Sequence, residues 1–444
     1  MRKVGWRSGQ LIILLAAVCL LAVERAHTAE ERCRIQVLTS YPEEFYRPFV
    51  ERFSADQGIS VCVTNKNTIA LIRHVREKRR PEPDIVWASS PTAFRALDAA
   101  GLLARRPEMV RSASDFAGIE VDDPNGSRFG FALSRIGVMW RPGHDMSIPG
   151  AMSDLGLPSY AGTLGLTSPA RSGTMHLFVE TVLQHYGWEA GWALLSRIGG
   201  NAATITARSF GVPEGVAKGR FSFGIGIDFL AQANEGGQRL GFAALSPSIV
   251  FPASVAITEH SDQDRGAMAF VDFLRSEAAQ NLLLRPNLAR IPITPGLWAQ
   301  VGFEPAQDAS AFDTALAARR IAVVSALFDE MITYRYVDLV ELWAAVRRFE
   351  RDQLVMESGT EKALVANLRN LLEAVPVASF MSDAAELEEA LSALPLDSDA
   401  QPSGSGIALR DSWSRDFDER FRRARELVAR IEASGQSRTK EAVQ

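Results

Sequence analysis

Residues 168–174 read Ser-Pro-Ala-Arg-Ser-Gly-Thr, between a short apolar strand pattern and a helical one. Arg171, Ser172, Gly173 and Thr174 fall where that helix should begin. A helix N-terminus carries unsatisfied N–H groups and a partial positive charge. Phosphate and carboxylate bind there. Gly173 would let an oxygen approach the backbone, and Arg171 could add a bidentate, charge-assisted contact. The chemistry on offer is capture of an anion. The same residues also fit a plain helix start, with Ser172 or Thr174 as N-cap and Arg171 in solvent. Behind the turn, Phe178, Val179, Val182, Leu183 and Tyr186 give the helix a buried face.

Three earlier turns offer similar groups. The strand pattern RIQVL ends at Thr39-Ser40, SVCV runs into Asn65-Lys66-Asn67-Thr68, and PDIVWA ends in Ser89-Ser90. Each precedes a helical pattern, and three β-turn-α units in a row predict a parallel sheet covered by helices. Ligands of open sheets bind outside the carboxyl ends of the strands. Thr39, Ser40, Thr68, Ser89 and Ser90 therefore join the ligand-binding candidates. Asp228, after the apolar stretch FGIGI, is either an acceptor for ligand hydroxyls or the N-cap of the next helix. Arg135, His176 and Arg208 are secondary anion candidates.

Catalytic patterns are missing. There is no G-x-S-x-G elbow, Ala170 standing where one would need glycine, and no P-loop. No two histidines have the i, i+4 spacing of a helical zinc site. Neither an activated nucleophile nor a tuned acid/base pair is visible. The expectation is a binding protein that is not an enzyme, with no metal and no cofactor.

The elements that must position these residues form several blocks. A chain of 444 residues has room for two cores and an extension. Its formal charge of −5 argues against a nucleic-acid partner. Arg2, Lys3 and Arg7 precede an unbroken apolar run of 13 residues, Leu11 to Val23, and then Ala26, Thr28 and Ala29. This predicts a signal peptide over residues 1–29, an uncleaved anchor being the alternative. Export would leave Cys33 and Cys62 as a candidate disulfide, two buried thiols being the other reading. A first lobe is expected over 30–133. RFGFALSRIGVMWRP crosses into a second lobe, 134–250, and residues 251–308 return to the first. Two crossings make a hinge with a cleft. Helical spacing then predicts an extension over 309–394, a low-complexity linker over 395–406 and a charged helix over 407–444.

From about residue 33 to 308 the chain resembles periplasmic solute-binding proteins of ABC transporters, in the branch that includes ferric-iron binding proteins. The resemblance is carried by PDIVWASSPTAFRALDAAGLL, LGLTSPARSGTMHLFVETVLQHYGWEAGWALLSRI, VAKGRFSFGIGIDF and MAFVDFLRSEAAQNLLLRPNLARIPI. It implies an α/β, bilobal type II periplasmic-binding-protein fold with a C-terminal α-helical extension. The iron binders use two adjacent tyrosines after the strand matching FGIGI, where this chain has Asp228-Phe229. Other relatives in the branch bind organophosphates. RRIAVVSALFDEMITYRYVDLVELWAAV further resembles the C-terminal region of the phosphoglycerate transport regulatory subgroup, which acts with a membrane sensor kinase. The resemblance implies a periplasmic monomer that closes on a small phosphorylated anion and presents it to a permease or sensor kinase. A ferric-iron binder of the same fold, or a secreted adaptor or enzyme, are the alternatives.

Overall fold

The computed structural model describes residues 33–116, 119–143, 145–232, 239–304, 312–379, 385–392 and 404–443. The expected signal peptide and most of the expected linker lie outside them.

The chain opens with β1 (Ile35–Thr39), α1 (Glu43–Gln57), β2 (Val61–Asn65), α2 (Thr68–Arg76), β3 (Ile85–Ala88) and α3 (Pro91–Ala99). Short apolar strands alternate with helices, and side-chain caps fix the starts of α2 and α3. Asn67 accepts from the Ala70 N–H, and Ser90 accepts from the Ala93 N–H with Pro91 in the first turn. β1 pairs in parallel with both β2 and β3. Cys33 and Cys62 are bonded to each other, with their Cα atoms 5.5 Å apart, and join the start of β1 to the edge strand β2.

β4 (Phe129–Trp140) follows, then β5 (Leu164–Thr167), α4 (Gly173–Tyr186), α5 (Trp188–Gly200), β6 (Ala202–Thr206), α6 (Gly211–Ala217), β7 (Phe223–Ile227) and α7 (Asp228–Gln232). The chain returns through β8 (Gly241–Ala244), β9 (Val250–Ile257), α8 (Asp264–Leu274), α9 (Glu277–Leu283) and β10 (Ile291–Pro292). The strand order is β2-β1-β3-β9-β4-β7-β5-β6, with β8 and β10 also on β4. β4 divides the sheet. Its residues Phe129–Arg135 pair with β9, and Ile136–Trp140 pair with β7. One long strand thus runs through both lobes, and β8 with β9 forms the second crossing. The first lobe is not wholly parallel, since β9 runs antiparallel to β3 and β4.

The last third is helical: α10 (Thr314–Arg319), α11 (Ile321–Phe328), a π-helical turn (Asp329–Thr333), α12 (Tyr336–Arg351), α13 (Gln353–Glu357), α14 (Gly359–Glu373), α15 (Ala385–Ser392) and α16 (Gly404–Val443). It is not an appendage. α10 packs on α3, α11 on α4, and α12 and α14 on α5. Ile321 joins Leu71, Phe94 and Leu97 in a buried cluster of the first lobe. The Trp188 Nε1–H donates to the Val377 carbonyl at 2.8 Å, and the Trp343 Nε1–H to Ser196 Oγ at 3.1 Å. No described helix is long and apolar enough to cross a membrane.

Candidate functional site

The C-terminal ends of β1, β2 and β3 face the N-terminus of α4 across a cleft of about 610 Å³, counted to its open mouth. Short turns follow these strands because the helix caps come at once, so polar side chains gather at one sheet edge. The first lobe contributes Ser40, Tyr41, Asn65, Lys66, Asn67, Thr68, Ser89 and Ser90. The second contributes Arg171, Ser172, Gly173 and Thr174 at α4, then Arg208, Ser209 and Phe210 after β6. Ile227, Phe229 and Leu230 supply apolar wall.

Ser172 caps α4: its Oγ accepts from the Met175 N–H at 3.1 Å and from Ser209 Oγ–H at 2.7 Å. Both bonds use oxygen lone pairs, so the Ser172 proton stays available to an acceptor. Capping and ligand contact are therefore compatible at this residue. Gly173 is where the lobes meet. A Cβ there would stand 2.8 Å from Ser90 Cβ and 2.9 Å from Thr68 Oγ1, closer than real side chains pack. The turn is braced from below: Ser168 Oγ accepts from the Ala170 N–H at 3.1 Å and donates to Asp329 of the π-helical turn at 2.7 Å. π-Helical turns inside helices often mark functional places.

Among the described residues the charged ones lining the cleft are Lys66, Arg171 and Arg208, with no carboxylate. Behind the wall lies Arg290, 1% exposed, which donates to Tyr41 Oη at 3.2 Å and Ser89 Oγ at 3.0 Å. The field in the cleft is positive, as an anion requires.

Of the sequence candidates, Ser40, Thr68, Ser89, Ser90, Arg171, Ser172, Gly173, Thr174 and Arg208 are brought together here. Four are placed elsewhere. Thr39 is fully buried, donating from Oγ1 to the Trp87 carbonyl at 2.7 Å and accepting from the Tyr41 N–H at 3.1 Å, so it shapes the turn. Asp228 turns away from the cleft and accepts from the backbone N–H groups of Arg135 and Phe229. Burial pushes its carboxyl up to about 6, against the pull of Arg135 and Arg290. Arg135 lies 3.6 Å from that carboxylate and stacks over Phe242 and Phe303 at the lobe junction. His176 is buried under the extension near Glu180 and Arg320, and neither ring nitrogen has a hydrogen-bond partner.

The residues that sequence reading missed fall into two groups. Tyr41, Asn65, Lys66, Asn67, Ser209 and Phe210 line the cleft from the same turns as named candidates. Arg290 had no local signal. It arrives from the segment after α9, far along the chain from the turns it supports. Among the described residues there is no group of three or more His, Cys, Asp or Glu side chains placed to hold a metal ion.

A family model described as bacterial extracellular solute-binding protein matches residues 37–285. The phosphoglycerate transport regulatory protein PgtC of Salmonella typhimurium is 30% identical over 349 residues, 75% of this chain and 83% of that protein. Among solved structures, iron-bound HitA from Pseudomonas aeruginosa superposes with a TM-score of 0.56 at 18% identity, covering 66% of this chain and 97% of that one. The periplasmic binding protein AfuA from Actinobacillus pleuropneumoniae, with fructose-6-phosphate bound, gives a TM-score of 0.54 at 14% identity, covering 70% and 98%. At such identities the structural likeness establishes the shared fold. The PgtC match is long enough to run into the helical extension.

Proposed function

The chain belongs to the bacterial extracellular solute-binding protein family, and from that premise we propose that it captures a small phosphorylated anion: a phosphoglycerate, a sugar phosphate or a phosphonate. One observation carries this reading. The cleft is lined by Lys66, Arg171, Arg208 and the N-terminus of α4, with no carboxylate among the described residues. Phosphate oxygens would take the Ser172 hydroxyl and the N–H groups of Gly173 and Thr174, and Arg171 would neutralise charge. Ser40, Thr68, Ser89 and Ser90 would bind from the opposite strand ends. The protein would be exported to the periplasm as a monomer, its lobes closing by hinge motion about β4. The closed form would then be presented to a membrane permease or a sensor kinase. The name of the relative PgtC, a transport regulatory protein for phosphoglycerate, supports both the ligand class and the signalling arm.

Ferric iron is the second reading, prompted by neighbours such as HitA. Its weakness is chemical. A hard trivalent cation needs anionic oxygen ligands, and the lining offers hydroxyls, amides and three cationic side chains.

The test is a thermal-shift panel of 2- and 3-phosphoglycerate, phosphoenolpyruvate, hexose phosphates, aminoethylphosphonate, inorganic phosphate and ferric citrate. A ligand at 100 times its Kd should add about 2.7 kcal/mol of stability. Arg171→Ala should then weaken binding of the stabilising anion by about 1.5–3 kcal/mol, as for loss of one charge-assisted bond. A shift with ferric citrate alone would overturn the anion reading.

A further inference from the structure

Arg290 is among the largest fully buried side chains of the protein. Its guanidinium lies 4.0 Å from the centre of the Phe229 ring, 4.8 Å from that of Tyr41 and 5.2 Å from that of Phe45. Among the described residues no carboxylate comes within ion-pair distance of it. The acid that influences it, Asp228, is already hydrogen-bonded to two backbone N–H groups. Nε has no hydrogen-bond partner. Aromatic faces soften the burial of a cation, but a buried charge without a counter-ion is costly and calls for a reason.

The hydrogen bonds that Arg290 does make point to one. They go to Ser89 Oγ and Tyr41 Oη, and both residues line the cleft. A guanidinium only donates, so it occupies a lone pair on each hydroxyl oxygen and leaves each proton free to be given away. Arg290 therefore stands behind both hydroxyls at the wall of the cleft. Linked hydrogen bonds of this kind polarise one another.

Resting on the anion-capture reading above, we propose that Arg290 is a positioning residue of the site: it holds the Ser89 and Tyr41 hydroxyls as donors and delivers its positive charge through them to an anion in the cleft. The first lobe then recognises the ligand with neutral hydroxyls backed by a hidden cation. The second lobe uses a helix end and an arginine at the surface of the cleft. The ligand is the counter-ion that Arg290 lacks.

Calorimetric titration with 3-phosphoglycerate and with inorganic phosphate tests this on the full mature chain. Arg290→Met should weaken the better-bound probe at least tenfold, and Arg290→Lys should restore part of that loss. In a Ser89→Ala/Tyr41→Phe background, Arg290→Met should change Kd less than twofold, because the route to the ligand is already cut. Thermal midpoints taken alongside separate a folding defect from a binding one, and Arg290→Lys serves as the readout should Arg290→Met not fold. If the Arg290 and hydroxyl effects multiply independently, Arg290 does not act through those hydroxyls. If the wild type binds a probe and both Arg290 variants bind it equally well, this inference fails and anion capture stands. If the wild type binds neither probe nor any other phosphorylated compound of the thermal-shift panel, both fail together.

Discussion

Gly173 is the residue at which the two lobes nearly touch, and its lack of a side chain is what lets them. With a Cβ there only 2.8 Å from Ser90, Gly173→Ala must move the lobes apart. Affinity for the anion proposed above should fall tenfold or more, about 1.4 kcal/mol, while the thermal midpoint of the free protein changes little. Calorimetry of the variant checks both, and unchanged affinity would mean that the lobes need not approach this closely. His176 makes a different prediction. Burial, and then Arg320, push its imidazole from 6.5 down to about 3, so the folded protein resists taking up that proton. Its contribution to stability is complete above about pH 6.5 and is lost as the pH falls toward 3. Asp228, pushed up from 3.8 to about 6, acts in the opposite sense, favouring the folded state as pH falls through 6 toward 4. His176→Leu should therefore flatten the fall in thermal midpoint between pH 7 and pH 4.5. Parallel curves for variant and wild type would assign acid lability to other groups. At this scale the sequence was partly legible. Residue types at strand ends pointed to the cleft, because a turn of a few residues leaves polar side chains little choice of direction. Arg290, Asp228 and His176 were not legible, because each takes its role from a partner distant along the chain or from burial under an element that no local pattern announces.

At the scale of elements, the alternation of strands and helices in the first lobe was legible, since hydrophobic period and cap residues change together at each boundary. The split pairing of β4 was not. FGFALSRIGVMW is buried along nearly its whole length, and nothing local marks the point between Arg135 and Ile136 where it changes partners. The burial of α4 was also understated. Its pattern predicts one buried face, yet Met175 through Leu183 are all buried, because α11 covers the side that would otherwise meet water. The Cys33–Cys62 bond belongs to this scale because it staples the edge strand β2 to β1. With the cysteines separated by 29 positions in the chain, the chain-entropy model assigns the bond about 3–4 kcal/mol. Reduction should lower the denaturation midpoint accordingly. Matching urea curves with and without reductant would show that the sheet holds its edge unaided.

For the whole molecule, the extension sets the architecture as much as the lobes do. It reaches both, through α10 on α3 and α11 on α4, and its π-helical turn braces the turn before α4 through Asp329 and Ser168. A chain ended after residue 304 should therefore lose its soluble folded state. A soluble product with the thermal midpoint of the full chain would show the extension to be dispensable. The same contacts bear on how the protein is made. Trp188 waits for Val377, 189 residues later, and Ser168 waits for Asp329. At translation speeds of about 5–20 residues per second, the second lobe would spend roughly 10 s or more as an unfinished body with apolar helix faces uncovered. Export, as proposed above, would add to that wait, since every segment would first have to cross a membrane. On that proposal, the late arrival of the last third would make this binding protein a client for whatever holds unfolded chains apart on the far side, and its yield should depend on that protection more than that of a relative ending at the second lobe crossing.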